Sequence, residues 1–418
     1  MDEGATTIQR TYLLLTLLTT LATSLIWGVN TLFLLDAGLS NTEAFTANAF
    51  FTLGMVLFEV PTGVLADTRG RRASYLLGTA TLLVTTLLYL AMWAVDAPLW
   101  GWALSSILIG LGFTFYSGAT EAWVVDALRS RGFEGDLDAT FGRAQIVSGA
   151  GMLVGSLGGG LIAQASNLGV PYLIRAALLL LTFVVAWIVM HDEGFTRTSQ
   201  RPAQAIRQVV AGAATAGFAN RPVRWLLLAA PFSAGSGLFV FYALQPYVLE
   251  LSGRPDAYGV AGLAAAMVAG GQIVGGLLVP RISRVLRLRT NGLILLLVLS
   301  VAVLVTLAST PSLGAALALV AAWSLTSALA APLRQSFLNG AIPSGQRATV
   351  LSVDSLMGSS GGVVTQPALG RVADVGGYPA SLVASAAIQA VAIPFIVLAR
   401  REHAASDPIA DPLAPKVR

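Results

Sequence analysis

The chain has 418 residues, 55% hydrophobic and only 11% charged, against about 25% charged in soluble domains, which excludes a water-soluble core. Cysteine is absent and His191 and His403 are the only histidines, which excludes disulfides and thiolate metal sites and leaves too few ligands for a histidine metal centre. The net charge of +4 comes from arginines in short loops between apolar runs, a pattern of membrane topology and not of nucleic-acid binding.

Taking about 20 apolar residues as one crossing, spans fall near 11–36, 42–66, 73–95, 98–128, 139–165 and 169–190. Six more fall near 223–250, 256–281, 290–309, 312–340, 346–371 and 377–399. The first run is long enough to cross the hydrocarbon and lacks a small-residue cleavage site, so it is expected to stay as an anchor. The polar segment between the two sets carries Arg197, Arg201, Arg207 and Arg221 around an alanine-rich middle, a composition suited to an interfacial helix. The expected division is a first bundle over 1–190, a linker over 191–222, a second bundle over 223–400 and a tail over 401–418. Basic residues other than Arg175, Arg254 and Arg371 fall on one side, Lys416 and Arg418 included. Both termini are therefore expected in the cytoplasm, with the chain in a bacterial cytoplasmic membrane.

The two sets also look duplicated. The fifth span begins Arg143-Ala144-Gln145-Ile146-Val147-Ser148 and the eleventh Arg347-Ala348-Thr349-Val350-Leu351-Ser352. Each then reaches a glycine cluster, Gly155-Ser156-Leu157-Gly158-Gly159 and Gly358-Ser359-Ser360-Gly361-Gly362. Such glycines serve static close packing of backbones or the rocking of one bundle against the other. Between the second and third spans runs Pro61-Thr62-Gly63-Val64-Leu65-Ala66-Asp67-Thr68-Arg69-Gly70-Arg71-Arg72.

This loop has the form G-x-x-x-D-x-x-G-R-R and resembles the signature loop of the major facilitator superfamily, as do the span count, the central linker and the duplication. The fold class the resemblance implies is an all-α membrane protein of twelve transmembrane helices in two pseudo-symmetric six-helix bundles. It also implies a gating latch of Gly63, Asp67 and Arg71 with Asp126 at the end of the fourth span, holding an outward-open state. The alternative is that the arginines only fix topology. After the eighth span Gly276 and Arg284 repeat the spacing of Gly63 and Arg71, but Pro280 stands where the aspartate should be.

Ionisable groups inside a span cost about 2.5–3.5 kcal/mol on insertion scales and are functional candidates by default. Five stand out: Glu59, Glu121, Asp354, Arg334 and Arg175. A carboxyl group carried between wet and dry surroundings takes up and releases a proton. Glu121, in Tyr116-Ser117-Gly118-Ala119-Thr120-Glu121-Ala122-Trp123, is the first candidate for proton coupling; the bland role is a neutral acid on a backbone carbonyl. Glu59 is expected in gating at a bundle seam, and Asp354 in either role. The resemblance implies a cavity lined by the first, fourth, seventh and tenth spans, which nominates Trp27, Asn30, Phe33, Tyr116, Glu121, Phe239, Tyr242, Gln245, Trp323 and Arg334. An aromatic lining with few polar groups suits an amphipathic compound, cations included, better than a sugar. Each of these aromatics has packing as its alternative role.

Export coupled to protons is the expected function, in a branch resembling bacterial drug:proton antiporters. The resemblance has gaps: Ser106 stands where those antiporters carry an arginine ahead of Gly110 and Gly112, and Ser156 replaces a proline among Gly151, Gly155, Gly159 and Gly160. The alternatives are uptake of an anionic or neutral nutrient through Arg334 or Arg175, and a non-transporting sensor or scaffold, for which the roughly 30-residue central loop offers little signalling domain. The expected partners are a small-molecule substrate, protons and the lipid bilayer, with no nucleic acid, and the chain is expected to be monomeric. No metal, cofactor or enzymatic role is expected, since no phosphate-binding loop and no nucleophile with a histidine partner is present.

Overall fold

Backbone in hydrocarbon must satisfy its own N–H and C=O groups, and a single-chain helix does so within one segment. The computed structural model accordingly folds as helices, with one isolated β-bridge between Leu288 and Pro408. It describes residues 3–197, 202–343 and 346–409; Arg201, Lys416 and Arg418 of the expected basic side lie outside them.

The helices in chain order are α1 (Glu3–Ser24), α2 (Asn30–Asp36), α3 (Asn41–Arg69), α4 (Arg71–Ala94), α5 (Leu99–Thr114), α6 (Ala119–Ser130), α7 (Leu137–Ala165) and α8 (Gly169–Val189). After them come α9 (Pro202–Gly212) with a π-helical turn over Ala213–Phe218, α10 (Arg221–Ser252), α11 (Tyr258–Val285), α12 (Arg289–Ala308), α13 (Leu313–Ala341), α14 (Arg347–Ala390) and α15 (Ala392–Arg401). Among the described residues, ten helical stretches are long and apolar enough to cross a bilayer. The last of these, Thr349–Arg401, is two crossings joined at Gly377, whose φ of 76° breaks the helix. The broken pair α1 and α2 adds the twelfth.

Two compact units divide the chain, Met1–Ile206 with Gln245–Ala266, and Arg207–Leu244 with Met267–Arg418. One division, between Ile206 and Arg207, lies within 191–222, and the end of α10 and the start of α11 group with the first unit. Within each unit the glycine clusters are sites of close approach. Gly155 and Gly159 of α7 press on Ser24 and Leu25, leaving no room for a side chain, and Gly361 of α14 does the same on Pro231 of α10. Lipid supplies no hydrophobic drive between helices, so contact area gained by close approach is what holds them.

The ends of the helices are capped in two ways. Ser40 and Glu43 form a local capping box on α3, the serine hydroxyl accepting from the Glu43 N–H at 3.3 Å and the carboxylate accepting from the Ser40 N–H at 2.9 Å. At α4 the N-cap is Gly70, which has no side chain; Asp192, just after α8, accepts the Arg72 N–H at 2.8 Å instead. At α12 the N-cap is Leu288, and Asp407, after α15 and 3% exposed, accepts from both the N–H and the hydroxyl of Thr290 at 2.8 and 2.7 Å. The duplication thus extends to remote caps, each worth about 1 kcal/mol. Beside Asp192, Glu193 takes a bidentate fork from Arg131 at 2.7 and 2.8 Å, which holds its carboxyl below the usual range.

Candidate functional site

The fourth span is not one helix. Between α5 and α6 the backbone turns through Phe115–Gly118, where Gly118 adopts a left-handed conformation (φ 67°) that a β-carbon would strain. Carbonyls freed by the break need partners inside the bundle. The Thr62 hydroxyl donates to the Thr114 carbonyl at 3.1 Å and the Ser74 hydroxyl to the Phe115 carbonyl at 2.9 Å. The Ser117 hydroxyl donates to Glu59 at 2.6 Å. Glu59 is therefore an anchor of the break.

Restarting the helix at Ala119 puts Glu121 in its first turn, where the free N–H groups and the helix dipole favour negative charge. Glu121 is exposed and lines a cavity of about 310 Å³ between α1, α4, α6 and α7. Among the described residues it makes no hydrogen bond and no ion pair. The other acids do. Asp354 receives a bidentate fork from Arg334 at 3.0 and 2.5 Å, and Arg334 also donates to the Leu226 carbonyl at 2.7 Å. Arg71 pairs with Asp67 at 2.5 Å and approaches Asp126 to 3.9 Å, so the three charges of the expected latch sit together. Gly63 faces open space. Arg175, 2% exposed, donates to the Thr86 hydroxyl at 3.1 Å.

The nominated cavity residues separate into groups. Tyr116 and Glu121 share the cavity of the first unit. Trp323 and Arg334 line another, of about 250 Å³, inside the second unit with Ser327 and Gln389; the Trp323 indole N–H has no hydrogen-bond partner there. Trp27, Asn30 and Phe33 belong to the broken first span, which Gln245 of α10 supports. Gln245, 1% exposed, donates to the Trp27 carbonyl at 2.7 Å and accepts the Thr31 N–H at 2.8 Å, satisfying backbone freed by the turn between α1 and α2. Asn30 donates to Asn48 and accepts from the Tyr172 hydroxyl, both at 2.9 Å. Phe33 is fully buried and stacks on Tyr172 with centroids 4.1 Å apart. Phe239 is also fully buried, and the half-buried Tyr242 sets its ring 5.3 Å from Phe241. These six make packing or backbone contacts and do not line these two cavities.

The first cavity is more polar than an aromatic lining would make it. Tyr12, Leu15, Thr16, Thr19 and Thr20 of α1 all face it, opposite Tyr75, Gln145 and Ser148. Their spacing, i, i+3, i+4, i+7 and i+8, is one helical face. That hydroxyl stripe was readable in the sequence as a polar face on an otherwise apolar span.

Twelve crossings, with a polar cavity inside the first unit that holds Glu121, describe a multi-pass membrane protein. The chain belongs to the Major Facilitator Superfamily, whose family model matches residues 12–366. It is similar in fold to the nucleoside transporter NupG, with 11% identity over 95% of this chain and 99% of that one at a TM-score of 0.78. A bacterial homologue of the human lysosomal transporter Spinster, solved inward-facing and unoccupied, matches with 17% identity over 96% and 98% of the chains at 0.70. The peptide transporter POT in complex with sulfate matches with 13% identity over 96% of each chain at 0.73. No curated protein matches the sequence. Membership of this family makes the chain a membrane transport protein, and these structures show the fold it shares.

Proposed function

We propose that the chain is a proton-coupled exporter of small cationic molecules, in which Glu121 holds a proton or the substrate cation by turns. The observation that carries this reading is the unpartnered state of Glu121, while Glu59, Asp67 and Asp354 are bonded to neighbours. An acid already held by an arginine gains nothing from a proton, whereas a free carboxylate in a cavity serves either ligand. Anion uptake is less favoured, because the Arg334 charge is offset by Asp354. Export as the direction rests on the fifth-span glycines, Gly151, Gly155, Gly159 and Gly160, and a bacterial cytoplasmic membrane with both termini inside rests on the arginine distribution. The Asp67, Arg71 and Asp126 group would act as the gate, and the working unit is a monomer.

Inverted vesicles acidified inside test the reading. Adding a panel of organic amines should release internal protons, followed with a pH-sensitive dye, only where the protein is present. Amine accumulation indifferent to an uncoupler would contradict it.

A further inference from the structure

We infer that the Glu121 cavity accepts a hydroxylated amine about one ring in size and discriminates against apolar cations. The inference rests on the reading of Glu121 as the cation-binding carboxylate, and it names the substrate class of that site.

Size comes first. At about 310 Å³ the cavity lies at the low end of small-molecule pockets, which span about 300–1,000 Å³. A single ring with short substituents fits that space. The chemistry of the walls then decides what kind of ring. The Thr19 and Tyr75 hydroxyls are already bonded to each other at 2.6 Å, and Thr20 and Ser148 lie 3.4 Å apart. A hydroxyl so engaged as donor still has lone pairs, and one engaged as acceptor still has a proton to give. Thr120 and Gln145, also on the wall, make no hydrogen bond among the described residues, and the Gln145 amide offers both donors and an acceptor.

An apolar cation filling this cavity would satisfy Glu121 and strand those groups away from water, each at the cost of an unmade hydrogen bond. A ring bearing hydroxyls answers them, and its ammonium makes a charge-assisted bond to Glu121. The Tyr12 and Phe141 rings, edge to face with centroids 6.2 Å apart, supply an apolar wall for the C–H face of such a ring. The threonine and tyrosine face of α1 brings to this cavity hydroxyl groups that the expectation of an amphipathic substrate did not count.

The test uses the full chain purified into lipid nanodiscs, tritiated D-glucosamine as probe, and D-glucose and cyclohexylammonium, each a single ring, as competitors. Glucosamine should bind saturably, and unlabelled glucosamine should displace it at concentrations at least about tenfold below either competitor, since one lacks the charge and the other the hydroxyls. Gln145→Leu should weaken glucosamine binding about tenfold and leave cyclohexylammonium unchanged, with the melting profile preserved. Displacement by cyclohexylammonium at equal or lower concentration would overturn the inference. So would the absence of saturable glucosamine binding to monodisperse, cooperatively melting protein. Saturable, selective binding without amine-driven proton movement in vesicles would uphold the substrate class and overturn the proton coupling.

Discussion

Vesicles carrying Glu121→Gln are expected to lose gradient-driven flux, falling to the leak of protein-free vesicles, while Glu59→Gln retains flux at a reduced rate. The difference follows from what each carboxylate touches. Glu121 has no bonded neighbour among the described residues and lies in a cavity, so replacing it with an amide removes the exchangeable proton and disturbs no bond. Glu59 accepts the Ser117 hydroxyl at 2.6 Å, a bond a glutamine carbonyl can also accept. Exchanging a charge-assisted bond for a neutral one costs about 1 kcal/mol, which alters the break in the fourth span without abolishing it. Retained gradient-driven flux in Glu121→Gln would place the proton elsewhere.

The second large effect concerns Arg334 and Asp354, whose side chains are 18% and 17% exposed. Taking away one member of a largely buried pair leaves an uncompensated charge and costs about 3 kcal/mol or more. Arg334→Ala and Asp354→Ala should each lower the melting temperature of purified protein sharply. The double variant Arg334→Met with Asp354→Leu should recover most of the loss, because the penalty belongs to the orphaned charge. Were Asp354 the proton carrier, Asp354→Asn would stop coupled flux at an unchanged melting temperature. Single variants that melt like the parent would show the pair to be dispensable for stability.

Much of the fold was legible because hydrocarbon imposes length and composition on every crossing. Twelve runs, the arginine loop and the repeated glycine clusters needed no tertiary information. The breaks over residues 25–29 and 115–118 were not legible, since neither a proline nor a charge marks them, and the partners that satisfy the freed backbone, Gln245, Thr62 and Ser74, come from other spans. Remote caps were hidden for the same reason: nothing local to Gly70 or Leu288 points to Asp192 or Asp407. Arg334 and Asp354 were legible as ionisable groups inside spans, and the structure pairs them. Phe33, Asn30 and Gln245 illustrate the opposite case. Helix number alone nominated them for a cavity; the contacts of Phe33 and Asn30 depend on where the first span breaks, and Gln245 reaches that break from α10.

Proton counting on purified protein addresses the exchange of proton for substrate most directly. In weakly buffered solution stepped from acid to neutral pH, an amine that passes the vesicle screen should release up to one proton per molecule bound within the series, and Glu121→Gln should release none at any step. Equal release from the parent and the Glu121→Gln variant, or none from the parent at saturation, would contradict the account.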